Sequence, residues 1–185
     1  MKYLLTLFLF VVHGWNYRVW LTEWADASIV DEFDFTTLKI YQNFSNYSAW
    51  QRRSHLLPQY IKIAFKTNAE IESFLRNEVE MCRNAAWTEP ADQSVWFYQR
   101  WLFGHLPKLL ENEGSKDLLL NTLARDQIKS INELIEEEGR GFNVALAMSF
   151  ISYICTLVND EELKFDYLND LKSVDELRKG HWTSS

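Results

Sequence analysis

Few residues in this 185-residue chain are arranged to do chemistry by themselves. The two cysteines, Cys82 and Cys155, cannot build a disulfide framework. The four histidines, His13, His55, His105 and His181, include no pair at i, i+4, and no Cys-x-x-Cys occurs, so no local metal site is spelled out. A Gly-rich phosphate loop and a nucleophile elbow are also missing from the sequence. What does recur is an indole with a guanidinium three or four positions on: Trp15 with Arg18, Trp50 with Arg53, Trp96 with Arg100. Residues at i, i+3 and i+4 share one face of a helix, so each pair lines one stripe where stacking or hydrogen bonding can occur. That is the chemistry of holding helices together rather than of turning over a substrate.

The elements that must carry these pairs are helices. Apolar residues recur at spacings of three and four over roughly 13–25, 30–43, 47–65, 69–86, 92–103, 117–138, 142–158 and 160–171. Ser28, Asn46 and Asp92 stand where N-caps belong, Pro90 lies in the turn before Asp92, and Gly139 and Gly141 fit a helix end. Gly (6) and Pro (3) are too scarce for the many turns of a sandwich or barrel. Short links between successive helices imply antiparallel hairpins, and the intervals of 35 and 46 residues between Trp15, Trp50 and Trp96 fit one hairpin and one hairpin with an insertion. The chain therefore reads as all-α, built of antiparallel helical-hairpin repeats. Trp15, Tyr17, Arg18, Asn46, Tyr47, Trp50, Arg53, Gln93, Trp96 and Arg100 are its repeat-motif residues, filling layers and bridging neighbours.

Charge and the N-terminus bound the function classes. The net charge of −7 lacks the basic footprint of a nucleic-acid binder. Met1 to Val12 is one Lys in an apolar run, like a signal peptide. Twelve helical residues would cover about 18 Å against roughly 30 Å of hydrocarbon, so a stable membrane span is not expected. The organisation expected is thus 1–12 as a signal-like or misread segment, 13–182 as a single helical-repeat domain, and 183–185 as a tail.

The motifs resemble those of protein prenyltransferase α subunits, whose repeats follow Asn-Tyr-x-x-Trp-x-x-Arg. Residues 43–59, Asn-Phe-Ser-Asn-Tyr-Ser-Ala-Trp-Gln-Arg-Arg-Ser-His-Leu-Leu-Pro-Gln, and 92–104, Asp-Gln-Ser-Val-Trp-Phe-Tyr-Gln-Arg-Trp-Leu-Phe-Gly, are similar to the fourth and fifth repeats of the Rab (type II) geranylgeranyltransferase branch. The resemblance covers about residues 13–182. Residues 13–20 resemble the third repeat, with Val11 and Val12 in place of its usual Asn and aromatic residue. Gln99 stands where the fifth repeat has its Arg, with Arg100 one place later. The first two repeats of the family have no counterpart, so a truncated α subunit holding the C-terminal repeats only is expected.

The resemblance implies a right-handed superhelical crescent that scaffolds a β subunit for transfer of geranylgeranyl from its diphosphate to C-terminal cysteines of Rab proteins. The chain would be the non-catalytic subunit, inactive without β. No cofactor is expected in this chain, and the zinc would sit on β. The implied partners are the β subunit, a Rab escort protein and Rab GTPases, and the implied location is cytoplasmic. No catalytic residue is expected in this chain; His13, which aligns with a histidine of the third family repeat near the β-facing surface, is a weak candidate for a role near the diphosphate and reads first as an interface or helix-end residue. Two other readings make different predictions. A peptide-binding helical adaptor would carry small residues at hairpin packing positions, where this chain has Trp and Arg. A secreted helical binding protein would be cleaved near Gly14 and glycosylated at Asn43 or Asn46.

Overall fold

The computed structural model describes residues 14–110, 113–139 and 144–174. Every regular element among them is a helix. They are α1 over 14–24, α2 (Ile29–Gln42), α3 (Tyr47–Ala64), α4 (Asn68–Thr88), α5 (Gln93–Leu109), α6 (Glu113–Glu138), α7 (Ala145–Val158) and α8 (Glu161–Val174). His13 and the segment 1–12 lie outside the described residues, as do His181 and the tail 183–185.

The starts of these helices follow from side chains that satisfy the first backbone N–H groups. Ser28 Oγ accepts from Asp31 N at 3.3 Å, Asn46 Oδ1 from Ala49 N at 3.1 Å, and Asp92 Oδ1 from Ser94 N at 2.8 Å. Thr67 and Glu70 form a reciprocal capping box at the start of α4. Three helix ends use the left-handed region: Asp26 (φ 49°) follows α1, Gly139 (φ +77°) follows α6, and Asn159 (φ 60°) closes α7 with its N–H on the Cys155 carbonyl.

The boundary that differs most from the sequence expectation is the end of the fifth helix; α6 also starts earlier, at Glu113, and α8 ends later, at Val174. The fifth helix does not stop at Phe103 but continues through Gly104 and Pro107 to Leu109. Gly104 is no terminator here. A Cβ at this position would lie 2.6 Å from the Tyr153 hydroxyl, so the missing side chain is what lets Tyr153 approach.

The chain forms two compact units, residues 1–64 and 65–185. In the first, α2 and α3 form an antiparallel hairpin around Phe33, Ile40, Trp50, Leu57 and Ile61, with the Phe33 and Tyr60 rings stacked 3.9 Å apart. In the second, α4 packs on α5 and α6, α7 packs on α5 and α6, and α8 packs on α7. Leu75, Leu102, Phe103, Leu119, Leu134, Met148 and Ile151 fill that core.

Candidate functional site: the tryptophan motif and its helix faces

Asn46 and Asp92 each stand four residues before a tryptophan, and this spacing has a physical purpose. The polar residue caps the helix, and one turn later the indole turns back on the link just crossed. Trp50 Nε1 donates to the Phe44 carbonyl at 2.7 Å, and Trp96 Nε1 donates to the Pro90 carbonyl at 2.8 Å. In both cases the acceptor is six residues earlier, in the link between the two helices of a hairpin, where a carbonyl has no helical partner. Both indoles are buried. Trp15 is half-buried, its ring centroid 5.7 Å from that of Phe35 on α2.

The residue three after each tryptophan carries the next contact. Arg53, 3% exposed, donates from Nη1 to Thr36 Oγ1 at 3.1 Å and Thr37 Oγ1 at 2.8 Å, with its guanidinium 3.9 Å over the Phe33 ring. Arg18 pairs with the buried Glu32, its Nε 3.2 Å from Oε2, and lies over Phe35. In α5 this place belongs to Gln99, 1% exposed, whose Nε2 donates to the Cys82 carbonyl of α4 at 3.4 Å. Arg100 instead lies on the exposed side, 4.2 Å over the Tyr153 ring. In α5 a neutral amide takes this buried place, and the charge lies one residue on, at the exposed Arg100. Gln127 of α6 repeats the device, donating to the Val79 carbonyl of α4 at 3.3 Å.

The residue two after each tryptophan meets a carboxylate in two of the three cases. The buried Tyr98 hydroxyl donates to Glu78 of α4, itself 2% exposed. Arg52 reaches Glu23 at 3.7 Å and Thr22 Oγ1 at 3.4 Å on α1. The third, Tyr17, is 63% exposed. Tyr47 and Gln93, the first residues of α3 and α5, also face solvent, so Tyr17, Tyr47 and Gln93 fill no layer of the fold. Between α1, α2 and α3 lies a cleft of about 470 Å³ lined by Thr22, Glu23, Arg52, His55 and Gln59 among others.

None of the shifted ionisations makes an activated nucleophile. Burial, with Asp160 beside it, pushes the Cys155 thiol up to about 11, so it stays protonated at neutral pH. Burial also raises Tyr153, against an opposing pull from Arg100. Glu70 is held below its ordinary value by the Lys66 backbone N–H, the Thr67 hydroxyl and the Thr67 backbone N–H. Among the described residues no three His, Cys, Asp or Glu side chains come together in a group that could hold a metal ion. No helix among them is long and apolar enough to cross a membrane.

Several of these contacts escaped sequence reading. The Thr67–Glu70 box was signalled by its Thr-x-x-Glu spacing. The Tyr98–Glu78, Arg18–Glu32 and Gln127–Val79 contacts join residues on different helices and left no local signal.

Residues 29–60 and 75–106, within the hairpins α2–α3 and α4–α5, match the protein prenyltransferase alpha subunit repeat. The chain is therefore similar, over these two hairpins, to helical-repeat proteins of the prenyltransferase α-subunit kind. More narrowly, it is a relative of the alpha subunit of type-2 geranylgeranyl transferase. It is 43% identical to the rat protein of that name over 94 residues, half of this chain and 17% of the rat protein. It is 34% identical to the Schizosaccharomyces pombe protein over 101 residues, covering 50% of this chain and 29% of that one. It is 28% identical to the Candida albicans protein over 211 residues, covering 92% of this chain and 56% of that one. The chain thus spans well under two thirds of each of these relatives.

Proposed function

We propose that this chain serves as an α subunit of a type-2 protein geranylgeranyltransferase, scaffolding a β subunit that carries the chemistry. The observation that carries this reading is how the two repeats spend their polar groups. Trp50, Trp96 and Gln99 each donate to a backbone carbonyl, and Arg53 to two threonine hydroxyls. The motif that identifies the family is therefore structural: it fixes helices, and it leaves outward faces for a partner. Zinc, which activates a cysteine thiolate in this reaction class, does not fit the described residues, whose cysteines are buried and ungrouped. In this reading the zinc and the diphosphate site belong to β, and a Rab escort protein presents Rab GTPases whose C-terminal cysteines accept the C20 group. The complex is placed in the cytoplasm, where Rab substrates would be met.

The test is transfer of labelled geranylgeranyl to a Rab protein by a cognate β subunit with escort protein, with and without this chain. The expected result is transfer only when the chain is present. Equal transfer with and without it would overturn the proposal.

A further inference from the structure

Arg52 is a mostly buried cation with poor partners. Its side chain is 12% exposed, and it lines the cleft between α1, α2 and α3. Its Nη1 is 3.7 Å from Glu23 Oε1, an ion pair too long for a hydrogen bond. Its Nη2 makes a long bond to Thr22 Oγ1, at 3.4 Å, and its buried Nε has no acceptor among the described residues. The other arginines of residues 1–64 are better served. Arg53 donates to two threonine hydroxyls, and Arg18 holds both carboxylate oxygens of Glu32. Taking a cation out of water without full compensation is costly.

The fold itself shows what fits Arg52. In arginine the Nε–H and one Nη2–H point the same way, as a two-donor fork that matches a carboxylate. Arg18 turns this fork on Glu32, Nε to Oε2 and Nη2 to Oε1. The same fork of Arg52 meets a single hydroxyl. Glu23 stands by the other nitrogen, Nη1, and does not fill the fork. A carboxylate from outside the fold completes it.

The rest of the cleft says what else that ligand carries. Glu32 is already spent on Arg18, but Glu23 and Asp26 line the same cleft with exposed side chains. Two carboxylates beside Arg52 repel a bare anion and attract an ammonium group. Arg52 and Glu23 are only 3.7 Å apart, so the two charges of the ligand belong on neighbouring atoms. Val19, Ile29 and Leu56 supply an apolar wall, and the volume of about 470 Å³ is in the range of small-molecule sites. We propose that this cleft binds a zwitterionic α-amino acid with an apolar side chain. Its carboxylate sits on the Nε–Nη2 fork of Arg52, and its ammonium faces Glu23 and Asp26. This goes beyond the scaffold reading and does not depend on it.

The probes are L-leucine, isocaproate, which is leucine without its ammonium, and isoamylamine, which is leucine without its carboxylate. Each is titrated into the full isotope-labelled chain, and NMR follows the Arg52 Nε–H signal, assigned by its loss in Arg52→Lys, and the His55 backbone amide. Leucine should shift both signals saturably. Isocaproate and isoamylamine should each bind at least about tenfold more weakly, since each forfeits one charged contact. Arg52→Lys keeps the charge without the fork and should weaken leucine about tenfold, read at the His55 amide. Glu23→Gln changes a mostly exposed side chain and keeps the parent circular dichroism spectrum. It should weaken leucine about fivefold and leave isocaproate no weaker. The proposal is overturned if leucine, at up to tens of millimolar, leaves the Arg52 Nε–H signal unmoved. It is overturned in favour of a plain anion site if isocaproate binds as tightly as leucine and Glu23→Gln changes neither.

Discussion

Replacing Trp50 with phenylalanine removes the donor that closes the α2–α3 link while keeping a large ring in the core. Three losses add up. The indole N–H to the Phe44 carbonyl is a 2.7 Å bond, and a hydrogen bond of this sort contributes about 1 kcal/mol net. The carbonyl it leaves is half-buried, in a link where no helical N–H replaces it, and an unsatisfied group adds roughly another 1 kcal/mol. The smaller ring leaves a void on the order of 40 Å³, which at about 24 cal/mol per Å³ adds about 1 kcal/mol. The expected destabilisation is therefore about 3 kcal/mol. Trp96→Phe should cost a similar amount, since its Nε1 makes the same contact with the Pro90 carbonyl at 2.8 Å. The control is Trp20→Phe, which trims a ring 57% exposed and should stay within about 0.5 kcal/mol. Urea unfolding followed by far-UV circular dichroism reads all three as midpoint shifts at constant slope. If Trp50→Phe costs no more than Trp20→Phe, the indole does not act as a link clamp and the account of the motif is wrong.

Three further outcomes follow from the packing. Arg53→Met should cost about 2–4 kcal/mol in the same urea experiment, because a buried cation loses two hydroxyl partners and an aromatic face; Arg100→Met, outside the core, should cost no more than about 1 kcal/mol. Gly104→Ala should destabilise by about 1–3 kcal/mol despite the better helix propensity of alanine, since the new methyl meets the Tyr153 hydroxyl at 2.6 Å; most of the loss should return in the Gly104→Ala/Tyr153→Phe double variant, read as a double-mutant cycle. Cys155 titrates near 11 folded against an ordinary 9.0, so its contribution is whole below pH 9 and is lost as pH rises from 9 toward 11. Thermal melts across that window should fall more steeply for the parent than for Cys155→Ala, and a parallel decline would contradict the shift.

Much of the architecture was legible because its signals are local. Ser28, Asn46 and Asp92 announce helix starts through their own side chains, and apolar spacing finds the helices between them. The limits appeared wherever a partner distant in sequence decides. Apolar spacing ends the fifth helix at Phe103, yet it runs on through Gly104, whose missing side chain leaves room for Tyr153, far along the chain. Gln99 and Arg100 both lie within one turn of Trp96, and periodicity alone cannot say which is buried. Only the Cys82 carbonyl within reach of Gln99 settles it. Tyr17 and Tyr98 have the same register in their helices and opposite burial, because burial depends on what packs against a helix rather than on its own sequence.

The central claim is that this chain exists to hold a β subunit. The most direct measurement is sedimentation equilibrium of the purified chain mixed with a purified type-2 geranylgeranyltransferase β subunit. The account predicts a one-to-one complex with a mass 22.0 kDa above that of β, formed at micromolar concentrations. Two species sedimenting independently across that range would contradict it.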